Sequence, residues 1–135
     1  MSIFAGSTPT VLVSVENVFS GVRYPEAGET PAVVDTGFEG FLGVPGSLFE
    51  RLGLALPHPR ERTLVTADGK EIPTQGAFAR LAFPSSRTVL EGLVETWPGL
   101  DEVLLGTEAL RAFRVELDYC IRRISMTKCR SVARP

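Results

Sequence analysis

Prolines and glycines interrupt this chain at short intervals, 10 of the former and 13 of the latter in 135 residues. Proline lacks a backbone donor and glycine has no side chain to pack, so both are disfavoured inside helices and central strands. The runs between them are brief and either alternate or are continuously apolar, as in segment 10–17, TVLVSVEN. Such runs are typical of strands, and they predict an all-β domain of about eight strands with two short helices.

The remaining predicted elements follow one another along the chain. Asp68-Gly69 separates two extended runs and predicts a hairpin over 61–76. Apolar residues on one face predict helices at 46–54 and 107–113, the second with Thr107 as a candidate N-cap. The other segments expected to be extended are 30–35, 40–44, 77–83, 87–96 (broken by Gly92), 101–106 and 114–126 (with a turn near Asp118).

The length fits one domain, which we expect to span 1–135 with its core at 10–126 and a flexible tail at 127–135. Apolar residues make up 44% of the chain, enough for a packed core. The net charge of −2 gives no general attraction to nucleic acid or to an anionic membrane, so neither is expected as a partner. The basic residues after Cys120 lack interleaved aromatics and indicate a solvated strand with a frayed end.

Cysteine and histidine usage excludes several chemistries. Cys120 and Cys129 match no zinc pattern and are expected as free thiols, and no metal or cofactor is predicted. His58 lies in a proline-flanked loop without a paired nucleophile, which argues against Ser-His or Cys-His catalysis. The chain does not open on a basic segment followed by an apolar one and has no run of 18 apolar residues, so we expect neither a signal peptide nor a membrane span, and the cytoplasm as the compartment.

An aspartate follows the apolar run Ala32-Val33-Val34 directly, within the stretch PAVVDTGFEGFLGVP. Burying an unpaired carboxylate is costly, so Asp35 either ends a strand at a turn or is placed there for chemistry. Two such loops facing each other would bring two carboxylates close enough to share one proton. One carboxylate could then act as base on a bound water while the other protonates a peptide carbonyl, without a metal or a covalent intermediate.

Two motifs in order carry a resemblance to a known family. They are the apolar-apolar-Asp-Thr-Gly of residues 33–37 and the apolar-apolar-Gly of Leu104-Leu105-Gly106, which precedes a helix. The chain resembles the single-domain aspartic proteases of the retropepsin type (clan AA), especially the small prokaryotic subgroup with its VDTG(F)xGxLxxP signature. The resemblance covers about residues 10–125. It implies a retropepsin-like single-lobe acid-protease barrel with a ψ-loop formed by 104–106 and with the predicted hairpin as its flap, whose tip would be residues 66–71.

The resemblance also implies a function and a set of site residues. The chain would be an aspartic endopeptidase that acts as a twofold homodimer and hydrolyses polypeptides between apolar residues. Asp35 would be catalytic, with Thr36 and Gly37 supporting the dyad. Substrate contacts are implied for Gly37, Phe38, Glu39, Ala67, Asp68 and Gly69. The dimer would be held by Thr36 contacts and by a sheet of terminal strands, for which 10–17 and 114–126 are the candidates.

The sequence departs from the retroviral pattern at three places. Phe38 stands where those enzymes have alanine, as in the prokaryotic subgroup, and the segment TADGKEI at the flap has one glycine and three charges. Thr107 replaces the arginine that pairs with an acidic residue equivalent to Glu39, and Arg111 is a candidate substitute.

Other interpretations remain open at this point. Asp-Thr-Gly could be a strand-ending turn in an unrelated barrel. The fold could be retained without activity, as a dimer that binds peptide or a partner protein. A small β-barrel that binds a small ligand is a third possibility.

Overall fold

The computed structural model describes residues 2–56 and 59–130, so His58 and residues 131–135 lie outside the described part of the chain. Two short α-helices, α1 (Gly46–Arg51) and α2 (Thr107–Leu110), and a 3₁₀ turn at Pro84–Ser86 accompany the strands. The strands are β1 (Ser2–Ala5), β2 (Thr8–Glu16), β3 (Arg23–Tyr24), β4 (Thr30–Val34), β5 (Leu42–Gly43), β6 (Arg60–Val65), β7 (Glu71–Phe83), β8 (Thr88–Thr96), β9 (Leu104–Leu105), β10 (Phe113–Asp118) and β11 (Arg123–Lys128). Within the described ranges, no helix is long and apolar enough to cross a membrane.

The strands form one sheet in the order β10-β11-β1-β2-β4-β9-β5-β8-β7-β6, with β3 on β2. A further antiparallel pairing of β2 with β7, in the register Ser14↔Ala82, joins two distant members of this order. The six strands from β2 to β7 therefore close into a barrel. Two pairings, β4–β9 and β5–β8, are parallel and the others are antiparallel. The predicted all-β barrel is confirmed.

Apolar side chains at alternate positions of the strands fill the barrel. Val11, Val13 and Val15 on β2 are almost fully buried, as are Ala79 and Leu81 on the paired strand β7. Helix α1 contributes Leu48 and Phe49 to the same apolar core. Burying a valine, leucine or phenylalanine side chain stabilises the fold by about 1.5–3 kcal/mol, so this apolar interior is the main source of stability for the barrel.

Several predicted element boundaries were wrong. The segment 87–96 is not broken at Gly92: β8 runs through it, because the missing side chain leaves room for the ring of Phe41. Strands β5 and β9 each pair over only two residues, less than the predicted 40–44 and 101–106. Helix α2 begins at Thr107 with Gly106 as its N-cap, so the threonine hydroxyl does not cap the helix and instead donates to the carbonyl of Phe38 at 3.4 Å.

The terminal strands are arranged differently from the expected interface. Strand β1 lies between β11 and β2, and β2 is paired on both edges by strands of its own chain. Segment 10–17 therefore offers no free edge to a second copy, which corrects that expectation. The last hairpin extends to Lys128, which pairs with Phe113, so 127 and 128 belong to the sheet and not to a tail. In the described part of the chain, β10 and β6 end the strand order.

Replacing Gly92 by alanine tests how tightly the barrel is packed. A Cβ at this position would lie 2.5 Å from Cγ of Phe41, whose ring is 3% exposed. We expect Gly92→Ala to lower the free energy of unfolding by about 1–3 kcal/mol, measured by denaturant titration.

Gly46→Ala is the matched control, because its Cβ would meet only Thr96 Oγ1, at 3.9 Å. It should change the free energy of unfolding by less than about 1 kcal/mol. In a Phe41→Leu background the cost of Gly92→Ala should shrink, since the ring is gone. An equal cost in both backgrounds would contradict the packing argument.

Candidate active site

Asp35 follows β4 at the point where this strand runs parallel to β9. The amide of Val33 donates to the carbonyl of Val103 at 2.8 Å, and the amide of Asp35 donates to that of Leu105 at 3.0 Å. The chain then turns, and Asp35 Oδ1 accepts a hydrogen bond from the amide of Gly37 at 2.9 Å. The carboxylate is half-buried, whereas Thr36 and Gly37 are exposed. The strand pairing therefore fixes the backbone of Asp35, and the turn fixes its side chain.

The second motif passes beneath this turn. Strand β9 lies between β4, to which it is parallel, and β5, to which it is antiparallel. After it, the amide of Gly106 donates to Phe41, that of Thr107 to Phe38 and that of Glu108 to Gly40, at 3.0, 2.9 and 3.1 Å. A Cβ on Gly106 would lie 2.0 Å from the carbonyl oxygen of Gly40, so only glycine allows this approach. Residues 104–106 form the ψ-shaped crossing that the sequence predicted.

Phe38 anchors the loop that follows the turn. It is 5% exposed, and its ring lies 5.3 Å from that of Trp97 between centroids. A Cβ on Gly40 would lie 2.4 Å from Cζ of Phe38, so this glycine makes room for the ring. Phe38 is thus largely part of the packing under the loop, although it also borders the cleft described next.

A cleft of about 450 Å³ brings together Asp35, Gly37, Phe38 and Glu39. Its opposite wall is the hairpin of β6 and β7, which contributes Arg62 through Thr66 and Ile72. Trp97 and Leu104 complete the lining. The structure therefore places the Asp-Thr-Gly carboxylate on the floor of a partly apolar groove with the predicted flap hairpin beside it. Two larger hollows elsewhere on the surface are not lined by Asp35, although one of them shares Trp97 with this cleft.

The other three predicted contact residues, Ala67, Asp68 and Gly69, lie outside this lining at the tip of the hairpin. The amide of Thr66 donates to Lys70 and the amide of Gly69 donates to Thr66, both at 2.9 Å, and Gly69 has a φ of +84°. Asp68 accepts hydrogen bonds from the Thr66 hydroxyl and, at 3.3 Å, from the Lys70 amide. These bonds, the hydroxyl's first, lower the pKa of Asp68 below its ordinary value of 3.8.

An ion pair with a buried carboxylate lies beside the cleft and was not predicted from the sequence. Glu95, on β8, has a side chain that is 1% exposed. Arg62 donates to it twice, from Nε to Oε2 at 2.6 Å and from Nη2 to Oε1 at 2.7 Å. The hydroxyl of Thr74 donates to Oε2 at 2.7 Å. The Glu95 hydrogen bond raises the pKa of Arg62 despite partial burial, and Glu108 and Glu39 act in the same direction.

The suggested pairing of Arg111 with Glu39 was wrong: among the residues that the structure describes, the two form no ion pair. Arg111 instead borders a separate hollow together with Glu91 and Glu108. Glu39 is the last-ranked of the groups that raise the pKa of Arg62, on the flap hairpin. Over residues 2–56 and 59–130, no cluster of histidine, cysteine or acidic side chains is arranged to hold a metal ion.

Solved structures similar to this chain define its fold. A crystal structure of a retropepsin-like aspartic protease from Rickettsia conorii matches with a TM-score of 0.65 and 15% identity over 93% of this chain and 86% of that one. EIAV protease, complexed with the inhibitor HBY-793, matches with a TM-score of 0.54 and 12% identity over 82% of this chain and 91% of that one. The chain therefore has a retropepsin-like fold, as its two motifs indicated.

No protein-family model matches the chain. An uncharacterized protein of Archaeoglobus fulgidus is 38% identical to it over 127 residues, which are 94% of this chain and 99% of the archaeal protein. The chain belongs to the same family as this archaeal protein.

The flap tip should respond to acid. Because the folded-state pKa of Asp68 is depressed, the order that its carboxylate gives the turn is present above the ordinary value of 3.8 and is lost as pH falls through the lowered pKa. In an NMR titration, the amides of Gly69 and Lys70 should shift with a midpoint below 3.8. Thr66→Val removes the largest cause and should raise that midpoint. A wild-type midpoint at or above 3.8 would contradict the assignment.

Proposed function

We propose that this protein is an aspartic endopeptidase that acts as a homodimer and hydrolyses peptide bonds between apolar residues. The observation that carries the proposal is the position of Asp35. Its carboxylate lies directly after β4, accepts a hydrogen bond from the Gly37 amide, and lines a cleft together with the β6–β7 hairpin, whose part beyond Gln75 has no third strand beside it in the described ranges. This is the arrangement that a carboxylate needs in order to act on a bound peptide with water present.

The chemistry needs two such carboxylates, and the 135 residues contain no second Asp-Thr-Gly or Asp-Ser-Gly. A twofold dimer supplies the second as Asp35 of another copy. Two carboxylates within hydrogen-bond reach cannot both be ionised, so the pair holds one proton. The ionised member removes a proton from water, which attacks the peptide carbonyl carbon, while the protonated member gives its proton to the carbonyl oxygen. The carboxyl that took the proton from water then gives it to the amide nitrogen, while the other carboxylate takes a hydroxyl proton from the resulting diol. The C–N bond breaks, and the pair again holds one proton.

The residues around Asp35 have supporting roles in this proposal. Thr36 is exposed, so its hydroxyl is free to bond across the twofold axis, and Gly37 offers its carbonyl to the substrate backbone. An extended peptide fits between the floor at 35–39 and the hairpin wall, where it would bond as an added strand. Leu64, Ile72 and Trp97 make the wall apolar, which supports a preference for apolar side chains. Closure of the hairpin would bring Ala67, Asp68 and Gly69 onto the peptide.

Asp35→Asn tests the assignment directly. The substitution keeps the size of the side chain but removes the group that exchanges a proton, so cleavage of an unbiased peptide library should fall by about 10²–10⁴-fold or more. Wild-type cleavage should be greatest at mildly acidic pH and should favour apolar residues on both sides of the bond. Thermal denaturation should show that the variant folds as wild type does.

Asp101→Asn is the matched control, because this exposed carboxylate lies in a different hollow and should not affect cleavage. Equal cleavage by Asp35→Asn and wild type would refute the proposal. A wild-type protein that binds the library peptides without cleaving them would favour a peptide-binding dimer instead.

Mixing subunits tests whether one site is made by two chains. After exchange with an excess of Asp35→Asn chains, most wild-type chains should sit in mixed dimers with a single aspartate. Activity per wild-type chain should then fall toward the fraction of wild-type/wild-type dimers, and sedimentation should show a dimer at the assay concentration. An excess of Asp101→Asn chains should add activity. Undiminished activity in the Asp35→Asn mixture, or a monomer at cleaving concentrations, would contradict the dimer.

A further inference from the structure

The flap hairpin leaves the barrel at a definite point on β7. Strand β8 pairs with β7 only from Gln75 onward, in the register Gln75↔Thr96. Within residues 2–56 and 59–130, strand β6 pairs with β7 alone. Beyond Gln75 the hairpin is therefore a two-stranded ribbon, and such a ribbon is marginally stable by itself. Its residues are mostly exposed, with Leu64 and Ile72 half-buried toward the cleft. Something other than strand pairing must fix its direction.

The first cross-strand pair beyond that point is Arg62↔Thr74. Both members of the pair donate to the same buried carboxylate, Glu95, which stands on β8 next to Thr96. The Glu95 carboxylate thus binds both strands of the ribbon at the Arg62↔Thr74 pair, which is where the ribbon leaves the barrel. The Thr74 hydroxyl, at 2.7 Å from Glu95 and 3.4 Å from the Arg62 carbonyl, directs its one proton to the carboxylate.

Arg62 also reaches the loop that carries Asp35. A Cβ on Gly40 would lie 2.7 Å from Arg62 Nη2, so the guanidinium rests against the backbone of that loop. Arg62 and Asp35 line the same cleft. One guanidinium therefore contacts the flap hairpin, the barrel strand β8 and the floor of the candidate active site.

We propose that Glu95, Arg62 and Thr74 form a positioning clamp, which sets the angle at which the flap hairpin stands over the cleft. The clamp rests on the proposed function in one respect, namely that the hairpin acts on a bound peptide. A bidentate arginine–carboxylate pair fixes direction as well as distance, whereas apolar contact is non-directional. That difference accounts for a buried carboxylate on β8 at the point where the hairpin leaves the barrel.

A purely stabilising role is the competing explanation, and a double substitution separates the two. In Arg62→Met/Glu95→Leu, the buried carboxylate and its arginine partner, whose side chain is 38% exposed, are both replaced by apolar side chains of similar length. Replacing both partners leaves no buried charge unpaired, and such replacements are often neutral or stabilising. The double variant should therefore melt close to wild type while losing the directional contact. Thr74→Val and Arg62→Lys are milder variants, which remove the hydroxyl and the bidentate fork.

Amide hydrogen exchange measures the hairpin without any assay of activity, so its result stands whether or not the protein is a peptidase. In all three variants, exchange across 63–72 should be about tenfold faster or more than in wild type, while β2 and β8 keep their protection. Arg80→Gln is the matched control. It removes an arginine on β7 that forms two exposed ion pairs, with Glu16 and Glu91, and should leave exchange in 63–72 unchanged.

Three outcomes would overturn the clamp: wild-type exchange in the hairpin of a folded double variant, exchange that rises equally over the whole chain, or acceleration in Arg80→Gln as well. If the double variant does not fold, Thr74→Val decides between the same outcomes. Where peptidase activity is present, the variants should lower kcat/KM with a raised KM. The Asp35→Asn variant tests the proposed function separately. Its hairpin should keep wild-type protection from exchange, so a change in its activity leaves the clamp intact.

Discussion

The close approach of Gly106 to Gly40 is the contact on which the site depends. The backbones meet where a single methyl group would not fit, and three successive amides, from Gly106 to Glu108, donate to carbonyls of the loop after Asp35. Because the same crossing segment pairs in parallel with β4, it fixes both the strand before the aspartate and the loop after it. A carboxylate on a loop gains in this way the rigidity of a strand, which a site for acid–base chemistry requires.

The sequence reveals this crossing because each part of it depends on local residue types. Small apolar residues before Asp35, glycines at 37 and 106, and Asp68-Gly69 between extended runs are features of the chain itself. Glu95 could not be predicted in the same way. It shares strand parity with Glu91, which is exposed, yet its own side chain is buried because the base of a hairpin more than 20 positions away covers it. Two other features likewise depend on partners distant in sequence. Gly92 can lie inside β8 because it makes room for the ring of Phe41, and β1 forms because it pairs with β11.

The charges near the cleft are rearranged relative to the pattern that the resemblance implied. With threonine at 107, helix α2 provides no cation for Glu39 at its start, and Arg111 borders a separate hollow with Glu91 and Glu108. Arg62, on the flap hairpin, donates to Glu95, and Glu108 and Glu39 also raise its pKa from a greater distance. A cation on α2 would tie the loop after Asp35 to its own support. A cation on β6 ties that loop to the hairpin, so the conformation of one bears on the other.

These contacts divide the molecule into a rigid barrel and a hairpin that can move. The barrel, the crossing and the loop share buried apolar residues and backbone hydrogen bonds, and they can open only at high cost. The hairpin beyond Gln75 has its own cross-strand bonds and few buried side chains, so its tip can move at low cost. A peptide bound in the cleft would contact both parts, gaining order from the rigid floor and closing the mobile wall over itself. The ion pair at the junction decides how far this wall can swing, because directional bonds resist rotation there while leaving the distal turn free.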